Sequence, residues 1–270
     1  MALLALDTAT RATAVALQRA PSEPVFEARD DPPPGERPRH TTCLLALIAE
    51  VLERSGSSWE QLERIAVGVG PGTFTGLRIG IATARALAQV RALPLVGVST
   101  LRSLALSASA RSAQKDRSRA RAFATVVPVL DARRGEVFAA AWAMMEDGLE
   151  HEPLFDARAL APEALRELLE NDRRVGSGTA LAVGEGAVAF RAILAPSGVE
   201  IPDDHAECHR VSAAAHCRLA WSLPARDPDD VHPSYIRLPD AELSRRAHAA
   251  APAVAPTRVA APSPEAASTP

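Results

Sequence analysis

Residues 65–80 read IAVGVGPGTFTGLRIG, and the chain changes from strand to helix inside them. Ile65, Val67 and Val69 make a short apolar run bounded by glycines, which predicts a buried strand. Gly68, Gly70 and Gly72 suit a backbone that turns tightly or lies against another surface. Pro71 keeps the strand from continuing. Thr73 stands where the N-cap of a helix over residues 74–91 belongs. On that helix Gly76, Gly80, Ala84 and Ala88 recur every fourth position, so one face is a ridge nearly free of side chains. Glycine inside a helix costs about 1 kcal/mol relative to alanine, and two of them imply that something packs closely there.

Upstream, the apolar run 2–6 ends in Asp7, followed by a polar turn over 8–11, an alternating strand over 13–17 and a third strand over 24–28. Residues 30–38, DDPPPGERP, form a loop, since consecutive prolines exclude ladder and helix alike. A helix over 39–54 places Leu44, Leu47, Ile48 and Val51 on one face, with Leu45 and Leu52 widening it. Downstream come a strand over 94–98 and a helix capped by Ser99 and running to about 109. The polar, basic stretch 110–122 reads as a linker. A strand over 123–130 ends in Asp131; a turn over 132–135 leads to a strand over 136–145. Asp147-Gly148 is a hairpin signal, so 149–155 is expected as a third strand. Helices are expected over 162–170, after Gly184 and over 211–221, and a strand over 180–183. The Ala/Pro-rich end has the composition of a disordered tail.

This order of elements repeats. LDTATRATAVA at 6–16 sits over LDARRGEVFAA at 130–140, with Asp7 and Asp131 aligned. The pattern predicts an α/β protein of two tandem ribonuclease-H-like subdomains, the actin-like ATPase superfamily arrangement. One large α/β domain with a chance echo is the alternative. The expected divisions are 1–109, a linker over 110–122, 123–208, a C-terminal helix and segment over 209–238 packing back on the first subdomain, and a tail over 239–270.

Of 270 residues 47% are hydrophobic and only 4% aromatic, so aliphatic side chains must fill the core. A net charge of −3 argues against a strongly basic nucleic-acid binder acting alone. Three cysteines make no disulfide framework and favour a reducing compartment. Residues 1–10 lack a basic n-region, and no apolar run is long enough to span a bilayer. The expectation is a cytoplasmic protein without a membrane partner.

Seven motifs carry a family resemblance: DTAT (7–10), RHTTCLL (39–45), GVGPGTFTGLRIG (68–80), PLVGVSTL (94–101), DARRGEV (131–137), VGEG (183–186) and PSYIR (233–237). In this order they resemble the TsaB (YeaZ) family over roughly residues 2–238. The resemblance implies a subunit of the bacterial machinery that makes N6-threonylcarbamoyladenosine at position 37 of tRNAs reading ANN codons. A paralogue, TsaD, carries the metal and transfers the threonylcarbamoyl group; an ATPase, TsaE, joins them. The TsaB-like member is a non-catalytic scaffold that meets tRNA through the complex. It pairs with TsaD, or with itself when alone, through helices 39–54 and 74–91. His40, Leu44, Leu47, Gly76, Arg78, Gly80, Ala84 and Ala88 are the interface residues this implies. Gly80→Arg is then expected to spare the monomer and abolish pairing.

The candidate chemistry is limited. Asp7 and Thr8 read as a remnant of a first phosphate loop or as a strand-end turn, the second being favoured. The second phosphate loop should be glycine-rich, yet Arg133 and Arg134 stand there; they suit an anion such as a nucleotide or tRNA phosphate, or a solvated pair. No intrinsic cofactor is expected, with ATP or ADP possible at the partner interface. The metal-bearing paralogue has two histidines four apart on its first helix, whereas His40 is followed four positions on by Leu44. His205, Cys208, His209, His216 and Cys217 lack a ligand spacing and read as packed residues. Residues 68–76 precede a helix N-terminus but lack the Lys-Ser/Thr of a P-loop, so presenting the helix is the preferred reading. Arg111, Lys115, Arg117, Arg119 and Arg121 read as a solvated run rather than a tRNA contact. The rivals are an actin-fold ATPase or phosphotransferase and a glycoprotease-type metallopeptidase.

Overall fold

The computed structural model describes residues 2–33, 35–115, 123–145, 148–172, 175 and 179–237, with 110–115 described by their backbone. The first subdomain holds β1 (Ala2–Asp7), β2 (Thr13–Gln18), β3 (Val25–Asp30), α1 (His40–Ser55), β4 (Leu62–Gly70), α2 (Phe74–Arg91), β5 (Leu95–Ser99) and α3 (Thr100–Lys115). Its sheet has the order β3-β2-β1-β4-β5, with β2 antiparallel to β1 and β3, and β4 and β5 parallel to β1. This is the ribonuclease-H-like order.

All six residues of β1 are buried, because helices cover both faces of its sheet. The period of two sorts them. Ala2, Leu4 and Leu6 join Leu44, Ile48 and Val51 of α1 and Ile81, Ala84 and Ala88 of α2. Leu3 and Ala5 pack on the opposite side with Ala213, Cys217 and Ala220.

The second sheet repeats the plan with β6 (Phe123–Arg133), β7 (Glu136–Met145), β8 (Gly148–Leu149), β9 (Phe155–Leu160) and β10 (Thr179–Val183). β10, β6, β7 and β8 lie in that order, and β9 also pairs with β7. β6 corresponds to β1, β7 to β2, β9 to β3 and β10 to β4. No named counterpart of β5 is found among the described residues; Glu200 takes its place with one parallel bridge to Leu181, made by two backbone hydrogen bonds of 2.8 Å. Helices α4 (Pro162–Asn171), α5 (Glu185–Ala189) and α6 (Arg191–Leu194) belong to this half, and α7 (Ala213–Ala220) returns to the first sheet. Residues 226–237 then run as a strap along α2, starting from a bridge between Arg226 and Leu95.

Several local expectations change. Helix α3 continues to Lys115, so the expected linker is helical over 110–115; no glycine or proline interrupts it there. Its remaining residues, 116–122, and the tail at 239–270 lie outside the described residues. The third strand of the second sheet is Phe155–Leu160 rather than 149–155, since Pro153 cannot donate to a ladder. β6 carries on through Asp131 to Arg133. Leu45 does not widen the buried face of α1; it is 63% exposed. None of the described helices is long and apolar enough to cross a membrane.

Candidate functional site

The residues around Asp7 form the most tightly built polar site. Asp7 ends β1, and its Oδ1 accepts the Ala9 N–H at 3.0 Å. Its Oδ2 lies 3.1 Å from His216 Nε2 on α7, a close contact without an aligned hydrogen bond. On the other edge of that imidazole, Nδ1 is 2.6 Å from Ser103 Oγ on α3 and 3.0 Å from the Ser212 carbonyl oxygen. Asp7, Ser103 and His216 are all buried. Three elements therefore meet at one chain of polar contacts sealed in the core. A Cβ at Gly68 would overlap Asp7 Oδ2 and come within 3.0 Å of His216 Nε2, so glycine there makes room for the pair.

The rest of the turn sits on the start of α2. Thr8 Oγ1 donates to the Gly76 carbonyl oxygen at 2.7 Å, and the Thr73 N–H donates to the Ala9 carbonyl oxygen at 2.7 Å. A Cβ at Gly76 would overlap the Thr8 carbonyl oxygen, and one at Gly80 would overlap Thr8 Oγ1. The side-chain-free ridge of α2 is thus filled by the turn after β1, with Ala84 and Ala88 buried below it.

Within the single chain, seven of the eight residues expected at the interface are buried. Gly76, Gly80, Ala84 and Ala88 face their own sheet, and His40, Leu44 and Leu47 of α1 are buried too. A run of small residues at helical spacing marks a close approach without saying whose backbone approaches. His40 Nδ1 is 2.8 Å from Thr13 Oγ1, and burial holds its pKa below the ordinary value against the opposing charge of Asp7. Of the eight residues only Arg78 is exposed. It belongs to the opposite ridge of α2, where Phe74, Arg78, Ala82, Ala86 and Val90 are all exposed at the same spacing of four. Phe74 is 41% and Val90 84% exposed.

The second loop is the β6–β7 hairpin. Arg133, Arg134 and Gly135 all have positive φ, 64°, 57° and 75°. Non-glycine residues in this region cost roughly 1–2 kcal/mol each. Asp131 offsets part of that: its carboxylate accepts the Arg133 N–H at 2.7 Å and the Arg133 guanidinium at 3.1 Å. Both arginine side chains lie on the exposed tip. Glu185, at the start of α5, faces this hairpin. Burial first, and then the charge of Asp131, push its pKa above the ordinary carboxylate value, while Arg133 and Arg11 oppose the shift. Glu185 was missed in the sequence because VGEG gives it no partner at a readable spacing.

The histidine–cysteine cluster separates. His209 Nδ1 accepts the Gly184 N–H at 3.0 Å and its Nε2 lies 3.2 Å from the Pro202 carbonyl oxygen; burial lowers its pKa. His216 is taken by Asp7 and Ser103, and Cys217 is buried with its thiol pushed well up by burial. Among the described residues, no group of three or more His, Cys, Asp or Glu is placed to hold a metal ion.

The two sheets and the seating of the turn after β1 define an α/β chain of two ribonuclease-H-like subdomains. A family model described as TsaD, tRNA N6-adenosine threonylcarbamoyltransferase, matches residues 33–167. The tRNA threonylcarbamoyladenosine biosynthesis protein TsaB of Escherichia coli (strain K12) is 35% identical over 203 residues, 75% of this chain and 79% of that protein. The Bacillus subtilis (strain 168) protein of the same name is 27% identical over 90% of this chain and 96% of its own. The solved structure of YeaZ from Pseudomonas aeruginosa shares the fold, with a TM-score of 0.68 at 23% identity, covering 87% of this chain and 99% of that one. The chain belongs to the TsaB family.

Proposed function

We propose that this chain is a non-catalytic subunit of the machinery that makes N6-threonylcarbamoyladenosine at position 37 of tRNAs reading ANN codons, and that it binds and activates a TsaD-like transferase. The observation that carries the pairing is the outer ridge of α2. Phe74, Ala82, Ala86 and Val90 give it an apolar surface with Arg78 as its one charge, and Leu45 projects from α1, which packs beside α2. Small residues at Ala82 and Ala86 allow a partner helix to approach closely, and helix pairs of this kind join as four-helix contacts.

The polar site argues against catalysis by this chain. An actin-like ATPase needs a carboxylate free to organise Mg²⁺ and close backbone at the phosphates. Asp7 is buried, with Oδ1 held by the Ala9 N–H and Oδ2 closed off by His216; the Thr73 N–H is used by Ala9, and the second loop presents two arginine side chains. These residues do not fit a resident Mg–nucleotide, and any ATP or ADP belongs at the partner interface. A TsaE-like ATPase and tRNA join through the complex, and the free chain pairs with itself through the same ridge.

The test is Ala86→Arg, which adds bulk and charge at a solvent-facing position. We expect loss of co-elution with the same organism's transferase and loss of threonylcarbamoyladenosine in a reconstituted reaction, with an unchanged melting temperature. Co-elution equal to that of the parent chain would overturn the helix-face reading.

A further inference from the structure

Residues 233–237, PSYIR, take no part in the reading above, yet they end the strap beside the outer ridge of α2. The strap runs antiparallel to that helix. Gln89 Nε2 donates to Asp229 at 2.9 Å, and Arg85 donates to the Asp229 and Val231 carbonyl oxygens. The Ser234 N–H donates to the Val69 carbonyl oxygen at 2.7 Å, which pins the strap to the end of β4. Tyr235 then stacks on Phe74 with ring centroids 5.5 Å apart, and its hydroxyl accepts a hydrogen bond from Arg78 Nε at 3.1 Å. The Arg78 guanidinium lies 3.8 Å over the Phe74 ring. Beyond this cluster, Ile236 packs on the second core and Arg237 pairs with Glu136 at 3.0 Å.

Two kinds of strap residue can be told apart. Val231 is an anchor, 3% exposed in the core of the first subdomain. Tyr235 is held as firmly but leaves 37% of its surface open, next to Phe74 at 41%. An anchor alone would bury its ring. We propose that Tyr235, Phe74 and Arg78 form one contact patch for the transferase, so that its docking face is composite, part helix and part C-terminal strap. This rests on the outer ridge of α2 being the partner face. The patch continues that ridge, since Phe74 and Arg78 are its first two members. Tyrosine and arginine are the side chains that dominate binding energy at interfaces. Here both are ordered before binding: the phenyl face and the phenol hydroxyl hold the guanidinium, so less side-chain entropy is lost on docking. The occupant fits as well. The transferase family model spans α1 and α2 of this chain, so such a partner offers a comparable helix pair to the ridge.

Tyr235 is the only tyrosine of the chain, which makes it a reporter without any substitution. With 3-fluorotyrosine incorporated, the single ¹⁹F resonance is expected to shift and lose solvent contact when unlabelled transferase of the same organism is added. In parallel, Tyr235→Ala is expected to weaken the dissociation constant at least tenfold by calorimetry, and Tyr235→Phe by no more than about threefold. A complex that forms with an unmoved ¹⁹F resonance, or with Tyr235→Ala binding as the parent does, overturns the composite face and leaves the helix reading intact. Unchanged binding by Ala86→Arg overturns the helix reading itself, whatever the tyrosine does.

Discussion

At the scale of single residues, Asp7 decides what the inter-sheet region can do. In the sequence it reads as a phosphate-loop remnant or a turn residue, and the structure gives it the second role through the Ala9 N–H and adds a third through His216. The imidazole fills a fully buried site between Asp7 and Ser103. Removing it leaves a cavity and strips the Ser103 hydroxyl of its partner, so His216→Ala should cost about 2–5 kcal/mol. Asp7→Ala combined with His216→Ala should cost clearly less than the sum of the two single changes, because the pair acts as a unit. Urea unfolding of the four proteins measures this; additive effects would show that the 3.1 Å approach carries no coupling. His216 was legible only as a member of a histidine–cysteine cluster. Its side-chain partners, Asp7 and Ser103, lie more than a hundred positions away in sequence, and no local spacing could have joined them.

At the scale of the element, α2 shows how far periodicity goes. Its limits, Phe74–Arg91, follow from Pro71, Thr73 and the apolar pattern, and the sequence reading places them where the structure does. What periodicity could not settle is which of two ridges meets a partner, because both recur every fourth residue. The glycine ridge went to the turn after β1, because the Thr8 hydroxyl donates to the Gly76 carbonyl oxygen, the Ala9 carbonyl oxygen accepts the Thr73 N–H, and the Thr8 backbone and hydroxyl occupy the space that side chains at 76 and 80 would need. The packing argues against the expectation that Gly80→Arg spares the monomer: even a methyl group meets Thr8 Oγ1. Gly80→Ala should destabilise the chain by about 1–3 kcal/mol despite alanine's better helix propensity. The penalty should shrink by at least half in a Thr8→Ala background, where the clashing hydroxyl is gone. Chemical denaturation of the cycle tests this, and a stabilising Gly80→Ala would refute the packing. The same limit explains β9: Asp147-Gly148 correctly suggests a hairpin, but the strand register beyond it depends on pairing with β7, which no local signal encodes.

At the scale of the whole molecule, the repeat seen as aligned aspartates became two five-stranded sheets of related plan, the second carrying the short β8 and no named counterpart of β5 among the described residues. Asp7 and Asp131 then diverged: the first closed inward on a histidine, the second outward on an arginine hairpin. The strap is one of the elements that join the two halves, since Val231 packs in the first core and Ile236 against the second. Residues Met1–Arg237 form a compact unit that includes it. A chain ending after Arg237 should therefore melt within about 2 °C of the full chain. One ending after Arg226 loses the Val231 anchor, worth about 1.5–3 kcal/mol. It also loses the hydrogen bonds from Gln89 and Arg85 and the stacking of Tyr235, a further 1–2 kcal/mol or so. At about 2–4 °C per kcal/mol for a unit of this size, its melting temperature should fall by on the order of 10 °C. Scanning calorimetry decides between them. Equal melting temperatures for the two truncations would show that the strap lies on the surface of a body already complete without it, and the two cores would then have to be joined by α3 and α7 alone.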